Sequence, residues 1–139
     1  MKKIGLVCIL FAFSTAAIAR DDVGDYPIKD ALSESSLGED ISFYFGGQKV
    51  PAIAKKHGEF RTNKKTNAFN KTDLEACNWV FLSAMITLRD RAIAEGGNAV
   101  INIRSNYKNK TTSSETDFKC GAGKFLAGAA LIGTVVTLK

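Results

Sequence analysis

The chain has 139 residues, 45% of them hydrophobic, with 19 basic and 14 acidic side chains and a formal net charge of +5. That is one ordinary domain with room for a single modest core. Its one histidine, and the two cysteines left after the processing argued below, are too few for the usual four-ligand zinc site.

Residues 1–19, MKKIGLVCILFAFSTAAIA, have the layout of a secretory signal peptide. Lys2 and Lys3 make a basic start, Ile4 to Phe13 an apolar run, and Ala17 and Ala19 put small residues where a signal peptidase needs them, before Arg20. The run is about 10 residues, half of the roughly 20 that a spanning helix requires. Cleavage removes Cys8, leaves no lipid-attachment cysteine at the new N-terminus, and sends the chain to the periplasm or the medium. In that oxidising setting the even pair Cys77 and Cys120 reads as a disulfide.

Charge is unevenly placed in what remains. Residues 20–40 hold seven acids against Arg20 and Lys29, whereas residues 41–139 hold fifteen bases against seven acids. The expectation is an acidic arm at 20–40, with a short helical turn near 28–34, followed by a single basic domain at 41–139.

Ile41 to Phe45 is aromatic and alternating and stops at Gly46-Gly47, which predicts a strand. Residues 48–71 carry Lys49, Lys55, Lys56, Arg61, Lys64, Lys65 and Lys71 against Glu59 alone; with Pro51, Gly58 and several Asn they read as an irregular loop with a helical turn near 51–56. Thr72-Asp73-Leu74-Glu75 is a capping box, and Leu74, Cys77, Phe81, Ala84 and Leu88 recur at helical spacing. A helix is therefore predicted over about 73–95, ended by Gly96-Gly97.

Beyond it, 99–107 reads as a strand with Ile101, Ile103 and Tyr107 on one face and Asn102, Arg104 and Asn106 on the other. A polar loop at 109–113 leads into a second strand at 115–121, the two forming an antiparallel hairpin. Gly121-Ala122-Gly123 breaks the pattern, and 133–138 reads as a last strand. The predicted fold class is α+β: one long helix, about 73–95, packed on a small, mainly antiparallel sheet of about four strands. A Cys77–Cys120 bond would pin the buried face of the helix to that of the sheet.

Few residues suggest chemistry. Gly121-Ala122-Gly123-Lys124 fails as a phosphate loop, because Phe118 stands where the first Gly belongs and Phe125 where the metal-binding hydroxyl belongs. His57 lies in a basic stretch with no predicted partner, Asp73 and Glu75 are explained by the helix cap, and no cluster has metal spacing. The basic segment, rich in cations with Phe60 and Phe69 among them, suits a phosphate backbone or lipid headgroup.

Gly96-Gly97-Asn98-Ala99-Val100-Ile101-Asn102-Ile103, then a hairpin and Gly133-Thr134-Val135-Val136, resembles the YbjQ-like domains labelled heavy-metal-binding and the sensor domain of the Rcs envelope-stress lipoprotein. That resemblance, over about 73–138, implies a small α+β domain with helix on sheet. The whole chain resembles small secreted bacterial proteins in which Ile41 to Gly46, Phe60 to Asn67 and Ser113 to Thr116 recur. These are often labelled excinuclease ATPase subunits, a label that asks for a Walker loop and a zinc-cysteine array, neither of which stands in this sequence.

The functional expectation is an exported, non-enzymatic binding or interaction protein of the cell envelope, with no cofactor, no metal and an unnamed envelope partner. Its alternative is a polyanion binder, for nucleic acid or anionic glycolipid, using Lys55, Lys56, Arg61, Lys64 and Lys65. A third reading is an enzyme built on surface loops.

Overall fold

The computed structural model describes residues 21–33 and 37–139, so the signal-peptide reading of 1–19 lies outside the described residues. The elements are β1 (Asp22–Pro27), α1 (Ile28–Ser33), β2 (Ser42–Phe45), β3 (Ile53–Asn67), α2 (Asp73–Ala94), β4 (Ala99–Ser105), β5 (Asp117–Ala122) and β6 (Leu126–Leu138), with a 3-10 turn at Tyr107–Asn109.

β6 organises the sheet. One edge pairs antiparallel with β3 over its whole length, from Ile53 opposite Leu138 to Asn67 opposite Leu126. The other edge pairs antiparallel with β4 and, at its start, with β5. β1 is added outside β5, and β2 lies parallel to β4. The six strands curl into a half barrel, and among the described residues strand (45%) outweighs helix (27%). This corrects the expectation of a long helix on a sheet of about four strands. The helix is present as α2, but the sheet that carries it is larger, curled and contains one parallel pair.

The extra strands come from segments without a local strand signal. β3 is the segment read as a loop. Its hydropathy does not alternate, yet its burial does: Phe60, Thr62, Lys64 and Thr66 are covered or half-covered, and Glu59, Arg61, Asn63, Lys65 and Asn67 are exposed. What makes it a strand is the edge of β6, whose backbone N–H and C=O groups need partners when buried. Lysine is also a residue that suits a sheet edge, where it discourages further pairing. The sequence predicts only the 133–138 part of β6, because Ala and Gly dilute its pattern. A strand flanked on both edges and buried on both faces shows a continuous apolar run instead of alternation. The arm is corrected too: Asp22–Pro27 pairs with β5 and α1 follows directly, so this part of 20–40 belongs to the sheet.

The predicted hairpin of 99–107 with 115–121 does not form. β4 lies between β2 and β6, and β5 between β1 and β6. The face assignment in β4 also changes. Asn102 adopts a left-handed φ of 49°, and the register with β6 slips between Ile101 and Arg104. One extra residue inverts the alternation after it. Val100 and Ile103 therefore face the core, while Ile101 and Arg104 face the other way.

α2 starts as the sequence predicts: the Thr72 hydroxyl accepts from the Glu75 backbone N–H at 3.1 Å. Gly96, at φ 78°, follows its C-cap residue Glu95. Cys77, Phe81, Ala84 and Leu88 are wholly buried; Leu74 and Trp79 are exposed, so the apolar face begins one turn later than predicted. The core lies between α2 and the sheet face bearing Ala127, Ala129, Leu131, Val135, Val100 and Ile103. Phe81 stacks on Phe118 with ring centroids 4.1 Å apart. Beside them Cys77 and Cys120 form a disulfide with Cα atoms 5.9 Å apart. No helix among the described residues is long and apolar enough to cross a membrane.

Candidate anion-binding face

The face of the sheet away from α2 carries the chemistry. Residues opposite one another across strands share a face, so the pairing places the side chains in rows. Ile132 on β6 lies between Arg61 on β3 and Arg104 on β4. Asn63 stands opposite Ala130, whose carbonyl accepts from the Asn106 backbone N–H at 2.8 Å. Lys65 stands opposite Gly128, which stands opposite Gly121 on β5.

That glycine pair seats a tyrosine. A Cβ on Gly121 would lie 2.0 Å from the Tyr107 hydroxyl oxygen, and one on Gly128 would lie 3.3 Å from the same ring. With no side chains there, the ring of Tyr107 lies down on the two strands and its hydroxyl donates to Asp21 Oδ1 at 2.9 Å. Lys108 Nζ pairs with the second carboxylate oxygen of Asp21. Lys108 and Asn109 are both left-handed, at φ 52° and 61°. Such a conformation is unusual for lysine, and it forms the turn that carries Lys108 next to Asp21.

Between these groups lies a depression of about 250 Å³, lined by Arg61, Thr62, Asn63, Asn106, Lys108, Asn109 and Ala130. Its lining contains two cations, three carboxamides and no carboxylate. Arg104, close by, is committed to Glu59 at 2.9 Å, whereas Arg61 makes no ion pair among the described residues. A second depression, of about 240 Å³, differs in kind: it contains Asp25 and Asp117, and its Lys119 is paired with Asp25 at 2.7 Å. Lys108 of the first is likewise paired, with Asp21 at its rim, so it is Arg61 and the three carboxamides that give the first the character of an anion site.

The five cations singled out from sequence do not form one patch. Arg61 and Lys65 lie on this face, two positions apart along it. Lys64 points to the helix side with Phe60 and Thr62. Lys55 and Lys56 lie between two register shifts near the start of β3, on the order of 25 Å from Lys64 at the usual rise per strand residue. Sequence reasoning missed Asn63, Asn106, Lys108 and Asn109. The available signal was the density of Asn, a residue that tolerates left-handed backbone. His57 is a strand residue, not a loop residue, and its Nε2 lies 2.7 Å from Thr137 Oγ1. No group of three His, Cys, Asp or Glu residues able to hold a metal stands together among the described residues.

Two groups at the rim titrate away from their ordinary values. The hydrogen bonds from Lys108 and then Tyr107 hold the Asp21 carboxyl below the usual carboxylate range. Burial, then the hydrogen bond to Asp21, pushes the Tyr107 phenol up to about 12. A raised folded value favours the protonated form, so this contribution to stability is complete below pH 10 and is lost as pH climbs towards 12. A depressed one works the other way: the Asp21 contribution is present above the ordinary carboxylate value and disappears as acid protonates the group. Tyr107→Phe should therefore flatten the loss of stability between pH 10 and 12 relative to the parent protein. Denaturant melts across that range check it, and parallel curves for the two proteins would refute the assignment.

Comparison with known proteins adds no assignment: no family model matches the chain, and no curated protein or solved structure does so.

Proposed function

We propose that the protein is an exported, non-enzymatic binding module of the cell envelope that holds an anionic ligand on the open face of its sheet. The observation that carries this reading is the depression whose lining has no carboxylate, in which Arg61, without an ion-pair partner among the described residues, stands with three carboxamides and with Lys108, itself paired to Asp21 at the rim. A guanidinium offers a fork of donors to a phosphate or carboxylate, and carboxamides complete the hydrogen bonding without repelling it. The signal-peptide layout of residues 1–19 and the resemblance to secreted envelope proteins support the compartment. Lys65, two positions along the same face, extends the positive strip beyond the depression, which suits a polyanion better than a single small ion.

Retention on immobilised heparin at low salt is the expected behaviour, with steep release as salt is raised. Arg61→Gln with Lys65→Gln should weaken binding about tenfold and reduce the slope of log affinity against log salt by about 2. The paired change Lys55→Gln with Lys56→Gln, at the far end of β3, should leave both nearly unchanged. Absence of retention at low salt, or equal losses from the two pairs, would overturn the proposal.

A further inference from the structure

At the end of the sheet where β3 and β6 meet, two connections bring aromatic rings together in solvent. Phe69 lies between β3 and α2, and Phe125 in the turn from β5 to β6. Their rings stack at 5.8 Å with 15° between planes, yet the residues are 50% and 59% exposed. Leu126, next in the chain, is 56% exposed. The connections are fixed, not loose. The Ala68 backbone N–H donates to the Phe125 carbonyl at 2.8 Å, and Asn67 Oδ1 accepts from the Phe69 N–H at 2.9 Å. The fold thus holds three large apolar side chains outward at one tip, where each gives up favourable burial.

Cations accompany them in the same connections. Lys124 Nζ lies 5.4 Å from the centre of the Phe125 ring, and Lys71 Nζ donates to the Asn67 carbonyl at 3.0 Å. The nearest acids in sequence, Asp73 and Glu75, sit in the first turn of α2, where the helix N-terminus favours negative charge. Phe and Leu carry no polar atom that must stay hydrated, and lysine stems reach back to a polar layer while their heads stay wet. That division, apolar tip and basic collar, matches the boundary between acyl chains and anionic headgroups.

We infer that the Phe69–Phe125–Leu126 tip is a membrane-docking site, inserting into the interface of an anionic lipid bilayer with Lys71 and Lys124 on the headgroups. This site is separate from the open sheet face.

Co-sedimentation with vesicles tests it, using phosphatidylcholine alone and with about one third phosphatidylglycerol. The full-length mature protein should bind the anionic vesicles and not the neutral ones. Phe69→Ser with Phe125→Ser should reduce partitioning at least tenfold while the melting temperature stays close to that of the parent. Arg61→Gln with Lys65→Gln should retain most of the partitioning, which separates the tip from the sheet face. As a second reading, Phe125→Trp in a Trp79→Phe background should shift its emission to the blue only when anionic vesicles are added. Three outcomes would each overturn the inference: full binding by the double Phe variant, binding lost with the Arg61 and Lys65 pair instead, or a concentration-dependent dimer that the Phe changes abolish without any vesicle binding.

Discussion

Replacing both bridging residues, Cys77→Ala with Cys120→Ala, is expected to lower the unfolding free energy by about 4 kcal/mol. The two cysteines are 43 residues apart in sequence, and both side chains are wholly buried. On the chain-entropy account, opening a loop of that length frees the unfolded chain by about that amount. A domain of this size is stable by only about 5–15 kcal/mol, so the loss takes a large share. Alanine is the right replacement, because a serine hydroxyl in the same buried site would add an unsatisfied polar group. The bridge joins α2 to β5, and β5 has only two paired positions on β6. Without it, β1 and β5 stay joined to the rest of the sheet by that short pairing, by the Tyr107 and Lys108 contacts to Asp21, by the hydrogen bond from the Lys119 backbone N–H to Ser105 Oγ and by the core under α2. Urea melts should show a lower midpoint and a steeper slope, because the unfolded chain expands once the cross-link is gone, and intact mass should rise by about 2 Da on reduction of the parent protein. A destabilisation below about 1 kcal/mol, or no mass change, would refute the structural role assigned to the bridge.

The parts of this fold legible in sequence were those that carry their own signal. α2 has a capping box, a helical apolar period and a double-glycine stop, and its observed span differs from the predicted one by a single residue. The cysteine pair was legible because two Cys remain beyond the signal-peptide segment, an even pair in an oxidising setting. β3 was not legible, since its strand character is supplied by β6, which lies some sixty residues further on. Lys, Asn and Thr alternate there with one another, so nothing marks which of them face inward. The same holds for the candidate site. Arg61 was picked for its charge, but the residues that make a depression around it come from the turn at Tyr107–Asn109. That turn is placed by a tyrosine lying on two glycines of different strands, a contact with no local trace. In β4, a single left-handed Asn reversed the faces after it, and a period-two reading has no means of seeing one inserted residue. Sequence therefore located the covalent and helical skeleton, while the sheet edges and the face they build depend on pairings between distant segments.

Phe81→Ala should cost about 3–5 kcal/mol, the usual range for emptying a buried aromatic site. Phe81 is wholly buried in the middle of a run of four rings: Tyr26 with Phe118 at 5.8 Å, Phe118 with Phe81 at 4.1 Å, and Phe81 with Phe45 at 6.3 Å. The run crosses β1, β5, α2 and β2, so it ties both ends of the sheet to one helix. It also runs beside the disulfide. Phe81 is one helical turn past Cys77, about 6 Å along the axis, and Phe118 is two strand residues before Cys120, about 6.7 Å along β5. The covalent bond and the ring stack are therefore neighbouring cross-links between the same two elements. Their effects should not add. Part of the cost of Phe81→Ala is the cavity left behind, and that part shrinks if the walls can close. With the disulfide intact, α2 and β5 are held apart at the spacing the ring requires. With it absent, they can approach. A double-mutant cycle should accordingly give a combined loss smaller than the sum of the separate losses, by about 0.5–3 kcal/mol. Because the sum approaches the whole stability of a domain this size, the cycle is measured in a stabilising osmolyte. Strict additivity would show that the bridge does not restrain the packing beside it.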